Sequence, residues 1–69
     1  MKSVIDAFLF RIQEHRRLAR RRAEAGDSSG EKWHLRNADS LEDDCVEVFS
    51  EQEEIAFDED EFRAAANRL

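Results

Sequence analysis

The sequence has no proline, one cysteine (Cys45) and only Gly26 and Gly30 as glycines. A single cysteine excludes an internal disulfide. Cys45, His15 and His34 are too few and too scattered for a four-ligand zinc site. These absences matter in a chain of 69 residues, because a domain that short buries only about 60% of its unfolded surface. Disulfides, metals and oligomerisation are the usual reinforcements, and association with a second copy is the one that remains. No apolar run approaches the roughly 20 residues of a membrane span. Asp6 and Arg11 interrupt the opening apolar stretch, and no small-residue cleavage site follows it, so a signal peptide is not expected. A lone cysteine suits a reducing compartment, and the expected location is the cytoplasm.

Catalytic patterning is also missing. The chain contains no nucleophile elbow, glycine-rich phosphate loop or paired His–Glu metal motif. His15 and His34 fall on apolar arcs, where a histidine is more often buried structure than a catalyst. Cys45 sits among Asp43, Asp44 and Glu47, which disfavour its thiolate. The expectation is a protein that is not an enzyme and uses no cofactor or metal.

What the sequence does have is charge, unevenly placed. Charged residues make up 41% of the chain, with a formal net of −6. Residues 1–36 carry nine Lys/Arg against five Asp/Glu, a net of +4, and residues 37–69 carry two against twelve, a net of −10. No basic residue lies between Asn37 and Phe62. Such segregation bears on partners and assembly more than on fold.

Hydrophobic periodicity points to an all-α chain. At 100° per residue, Val4, Ile5, Phe8, Leu9, Ile12, His15, Ala19 and Ala23 fall in one arc about 140° wide, which predicts a helix over about 4–25. Residues 26–30 form the turn, with Gly26 as a left-handed cap and Ser28 with Glu31 at capping-box spacing. A second helix over about 31–53 would bury His34, Ala38, Leu41, Cys45, Val48, Phe49 and Gln52. Asp39 and Glu42 repeat the capping signal and allow a later start. Two short strands within 45–57 are the competing reading, weakened by the lack of Gly, Asn or Pro between them. A third helix over about 59–69 is announced by Asp58 as N-cap, Glu61 as its reciprocal partner and a Phe57–Phe62 staple, with Phe62, Ala65, Ala66 and Leu69 as its stripe.

The turn would fold the long helices into an antiparallel hairpin, pairing positions that sum to about 56. Ile12 then faces Cys45, Phe8 faces Val48, His15 faces Leu41 and Ala19 faces Ala38. Arg16 to Arg22 then lie opposite residues 34–40, where Asp39 is the only acid. Most of the acidic run, Glu42 to Glu54, lies beside the apolar half of the first helix, so pairing within the chain is not expected to neutralise it. Phe10, Leu18, Trp33, Leu35 and Val46 are left over, and a homodimer would cover them.

Two charged features are candidate sites. On a helix, Asp39, Asp43, Glu47, Glu51 and Glu54 make a rail with carboxylates about 5–6 Å apart along the axis. Such a rail would dock on a basic surface of a partner protein, with Trp33 or Phe10 as anchor. Its spacing also suits a nucleic-acid mimic. The second feature is the arginine cluster, with Arg16, Arg17, Arg20 and Arg21 as contacts to nucleic acid or to a second protomer. Its arginines are spread around the helix, no aromatic is interleaved for base stacking, and the acidic half would repel a duplex. Binding to a protein as inhibitor or adaptor is therefore the favoured expectation, with direct nucleic-acid binding behind it. In size and composition the chain is similar to the small acidic proteins with which phages and mobile elements block host factors.

Overall fold

Ser3 starts the first helix: its hydroxyl accepts from the Asp6 backbone N–H at 3.1 Å, which satisfies one of the donors a helix N-terminus leaves open. The computed structural model describes residues 3–54 and 56–68. Among them lie three helices, α1 (Val4–Glu24), α2 (Ser28–Ser50) and α3 (Glu59–Ala66), and no strand. The all-helical expectation holds over these residues. The strand alternative at 45–57 gives way to helix through Ser50 followed by turns, with Ile55 outside the described residues.

Gly26 closes α1 as expected. Its φ of 79° is the left-handed conformation in which a side chain would be strained. Gly26 N–H donates to Ala23 C=O at 3.1 Å and Asp27 N–H to Arg22 C=O at 2.8 Å, the paired bonds of a Schellman ending. The turn is tighter than the expected 26–30, because the cap of α2 is Asp27 and not Ser28. Asp27 Oδ1 accepts from Gly30 N–H at 2.9 Å, so Ser28, Ser29 and Gly30 already belong to the helix. A Cβ at Gly30 would meet the Asp27 carboxylate, which would have to shift from its capping position.

At the other end α2 stops at Ser50 and not near Glu53. The capping signal at Asp39 and Glu42 goes unused, because both residues form ion pairs in mid-helix. Two of the signals for α3 hold, the cap and the staple: Asp58 Oδ1 accepts from Glu61 N–H at 3.1 Å, and the Phe57 and Phe62 rings meet edge to face at 5.4 Å. The helix ends at Ala66, short of residue 69, where Asn67 caps it by donating from Nδ2 to Arg63 C=O at 2.8 Å. Leu69 lies outside the described residues.

Contacts between α1 and α2 run in opposite sequence directions. Phe8 meets Phe49 at a ring separation of 6.3 Å, Arg16 reaches Asp39 at 3.1 Å, and His15 meets His34 nearer the turn, Nδ1 to Nδ1 at 3.0 Å. The core joins Ile12, Ala38, Cys45, Phe49, Phe62 and Ala66, with Ile5, Phe8, Leu9, Leu41 and Phe57 packed around it. Phe8 thus meets Phe49 and His15 meets His34, while Phe8 and the expected partner Val48 line one groove. α2 is rolled from the expected face: Val46 is buried, and Val48 is 51% exposed. The cause is α3, which gives α2 a second neighbour. The buried side of α2, namely Ala38, Glu42, Cys45, Val46 and Phe49, has to serve both α1 and α3. No described helix is long and apolar enough to cross a membrane.

Candidate functional site

The charge pattern resolves around one residue that the hydropathy pattern hides. Glu42 is buried, at 6% exposure, although it belongs to the acidic run. One of its oxygens accepts from Arg16 Nη2 at 2.9 Å and the other from Arg63 Nη1 at 2.6 Å. Asn67 Nδ2 adds a bond at 3.3 Å. A buried carboxylate is tolerable only when its oxygens are partnered in this way. Arg16 arrives from α1, Glu42 from α2 and Arg63 from α3, so the bridge ties all three helices.

The two arginines also collect exposed acids. Arg16 Nη2 lies 3.1 Å from Asp39. Arg63 bonds Asp43 at 3.2 Å and, one turn back on its own helix, Glu59 at 3.1 Å. Hydrogen bonds to Glu59, Glu42 and Asp43 push the Arg63 guanidinium above its ordinary value and hold it protonated. Arg16 Nε is buried and has no hydrogen-bond partner among the described residues. Part of the acidic run is therefore met inside the chain. The expected register misses both cations: Arg16 on α1 reaches past Asp39 to Glu42, and Arg63 comes from α3, which the two-helix register does not include.

This arrangement splits the acidic rail. Asp39 and Asp43 are paired, and Glu47 is exposed on α2. Glu51 is the C-cap of α2, and Glu54 lies in the turn beyond it, so the helical spacing of a mimic does not reach them. Asp44, Glu47, Glu51, Glu53 and Glu54 are all exposed. Among the described residues none of these five forms an ion pair. One of the five, Asp44, borders a groove of about 660 Å³. Its walls are Val4, Ile5 and Phe8 from α1 and Cys45, Val48 and Phe49 from α2, with Asp44 at its edge. Val4 is 63% exposed there. The result is an apolar trough with the acid Asp44 at its edge; the sequence pattern leaves Asp44 out of the rail and assigns Val48 to the core instead of to an open wall.

The proposed anchors lie elsewhere. Trp33 is 56% exposed and packs edge-on against His34 at 5.0 Å and His15 at 5.9 Å. Phe10 is 53% exposed. The His15–His34 bond places one ring nitrogen as donor and the other as acceptor. Desolvation, then the charges of His34 and Arg11, lower the pKa of His15, with Glu14 opposing. Among the described residues no group of three or more potential ligands could hold a metal. Burial raises the pKa of the Cys45 thiol, which keeps it protonated and unreactive.

The arginine cluster is divided as well. Arg16 is drawn into the Glu42 bridge, and Arg22 lies 3.9 Å from Asp27. Arg17, Arg20 and Arg21 remain exposed, and they border a shared concavity with Gln13 and Arg68. Arg68, which follows α3, carried no signal in the sequence that linked it to them. Comparison with protein-family models, with curated proteins and with solved structures gives no match, so function rests on residues and geometry.

Proposed function

We propose that this chain is a small helical interaction module that docks its acidic face on a basic surface of a partner protein, acting as an inhibitor or adaptor. The observation that carries this reading is Asp44, which stands at the edge of the Val4–Phe8–Val48 groove and, like the exposed Glu47 and Glu51 of the same acidic run, forms no ion pair among the described residues. Unpaired charge speeds and orients the encounter, and adjoining apolar surface supplies affinity once water is expelled. Pairing of Asp39 and Asp43 within the chain favours docking over nucleic-acid mimicry, which needs an unbroken row of open carboxylates.

Asp43 supports Arg63, so a test of the acidic face should leave it alone. Asp44→Asn, Glu47→Gln and Glu51→Gln together remove three open charges without touching an ion pair. For a partner recovered with the wild-type chain, the triple variant is expected to bind more weakly and with a shallower dependence on salt. Unchanged affinity and salt dependence would overturn the reading.

A homodimer belongs to the same proposal. Trp33 and Leu35, at 56% and 37% exposure, leave apolar surface that a second copy would cover. Sedimentation equilibrium is expected to give a mass near twice 8.1 kDa, and a monomer throughout the accessible concentrations would remove the dimer from the account.

A further inference from the structure

We propose that the concavity between the C-terminal half of α1 and the end of α3 binds a small phosphorylated molecule through a di- or triphosphate group. Arg17, Arg20 and Arg21 stand at i, i+3 and i+4, within about 100° of one another on the helix. Gln13, one turn earlier, donates from Nε2 to Ala65 C=O at 3.0 Å. That bond pins the end of α3 to α1 and brings Arg68 to the same hollow, which measures about 400 Å³. Neighbouring arginines show what the fold does with such side chains when it uses them internally: Arg16 and Arg22 each face a carboxylate. Arg17, Arg20, Arg21 and Arg68 have no ion pair among the described residues.

Gathering four guanidinium groups without a counter-charge is unfavourable in the empty protein and favourable once an anion sits among them. Guanidinium forks bond oxyanions two at a time, which suits phosphate better than a spherical ion. The volume lies in the range of small-molecule sites. A nucleic-acid strand fits less well. The four arginines border one hollow and not a track, no aromatic lines it for base stacking, and the acidic remainder of the surface repels an extended polyanion. This site is independent of the acidic face and stands or falls separately.

The test is calorimetric titration of the full chain with tripolyphosphate, pyrophosphate and inorganic phosphate at low and moderate salt. One tripolyphosphate per chain is expected, bound more tightly than pyrophosphate and far more tightly than phosphate. Arg20→Ala and Arg68→Ala should each weaken it by about tenfold, the loss of one charge-assisted hydrogen bond. Arg36→Ala, outside the hollow, should leave it unchanged, and circular dichroism would verify that all variants stay folded. The proposal is overturned by absence of binding at millimolar tripolyphosphate, or by an equal loss from Arg36→Ala. Tighter binding of a short oligothymidylate would overturn it in favour of nucleic acid. A salt-sensitive self-association abolished by Arg20→Ala would do so in favour of a second copy's acidic face.

Discussion

Arg16 on α1 donates through Nη2 to the buried Glu42 carboxylate on α2 at 2.9 Å. The pair takes the first arginine of the basic cluster and the first acid of the run 42–54 out of the surface. What each half of the chain leaves exposed is therefore a remainder. Arg17, Arg20 and Arg21 stay exposed from the basic half, and Asp44, Glu47 and Glu51 from the acidic half.

Breaking this pair should be costly. Removing Glu42 leaves the buried Arg16 with only the exposed Asp39, and removing Arg16 leaves Glu42 to Arg63 and Asn67 alone. Losing one partner from such a buried network costs about 1–3 kcal/mol, a large part of the stability of a domain this small. Glu42→Ala is expected to lower the urea midpoint sharply or prevent folding. Arg16→Met should be nearly as severe, and the double variant Arg16→Met/Glu42→Leu much milder than the sum. Additive losses across that cycle would show that the two side chains do not act together. Glu47→Gln, exposed and unpaired, should leave the midpoint unchanged.

Stability should also fall as pH drops below neutral. His15 has a folded-state pKa below its ordinary 6.5, so the unfolded chain binds its proton first. Stability is full above 6.5 and declines as pH falls from there toward the folded value, because the unfolded state takes up more protons in that window. Denaturation midpoints at a series of pH values check this, and the lone Trp33, packed on both histidines, offers a local fluorescence signal. His15→Phe should flatten the decline. An unchanged slope in that variant would assign it to other groups.

Cys45 should behave as a core residue. It is 1% exposed, and burial disfavours its thiolate. Reaction with a thiol reagent at pH 8 is expected to be slow in the native protein and fast in urea. Cys45→Ser should destabilise by about 1–3 kcal/mol through a buried hydroxyl, whereas Cys45→Ala loses only packing. Rapid native labelling would mean that this part of the core opens freely.

Local signals were the legible part of the sequence. Gly26 and the Asp58–Glu61 pair act through backbone groups a few residues away, and they stand where the pattern puts them. The periodic stripe of Ile5, Phe8, Leu9 and Ile12 also faces the core. What escaped depends on α3 and its distant contacts. Hydropathy scores Glu42 as surface because it sees neither Arg16 nor Arg63. It scores Val48 as core and Val46 as leftover because a two-helix register gives α2 one neighbour and not two. Arg68 is forty-seven positions from Arg21 in the numbering, and only the Gln13–Ala65 bond brings them near the same hollow. The end of α2 at Ser50 was hidden too, since no glycine or proline marks it.

The most direct test of the functional account is a tagged pull-down from the native host's lysate after nuclease treatment, run in parallel with the wild-type chain and the Asp44→Asn/Glu47→Gln/Glu51→Gln variant. The account predicts one dominant protein with a basic surface, retained by the wild-type chain in the presence of nuclease and lost or much reduced with the variant. Equal recovery by both chains, or recovery that disappears with nuclease, would contradict it.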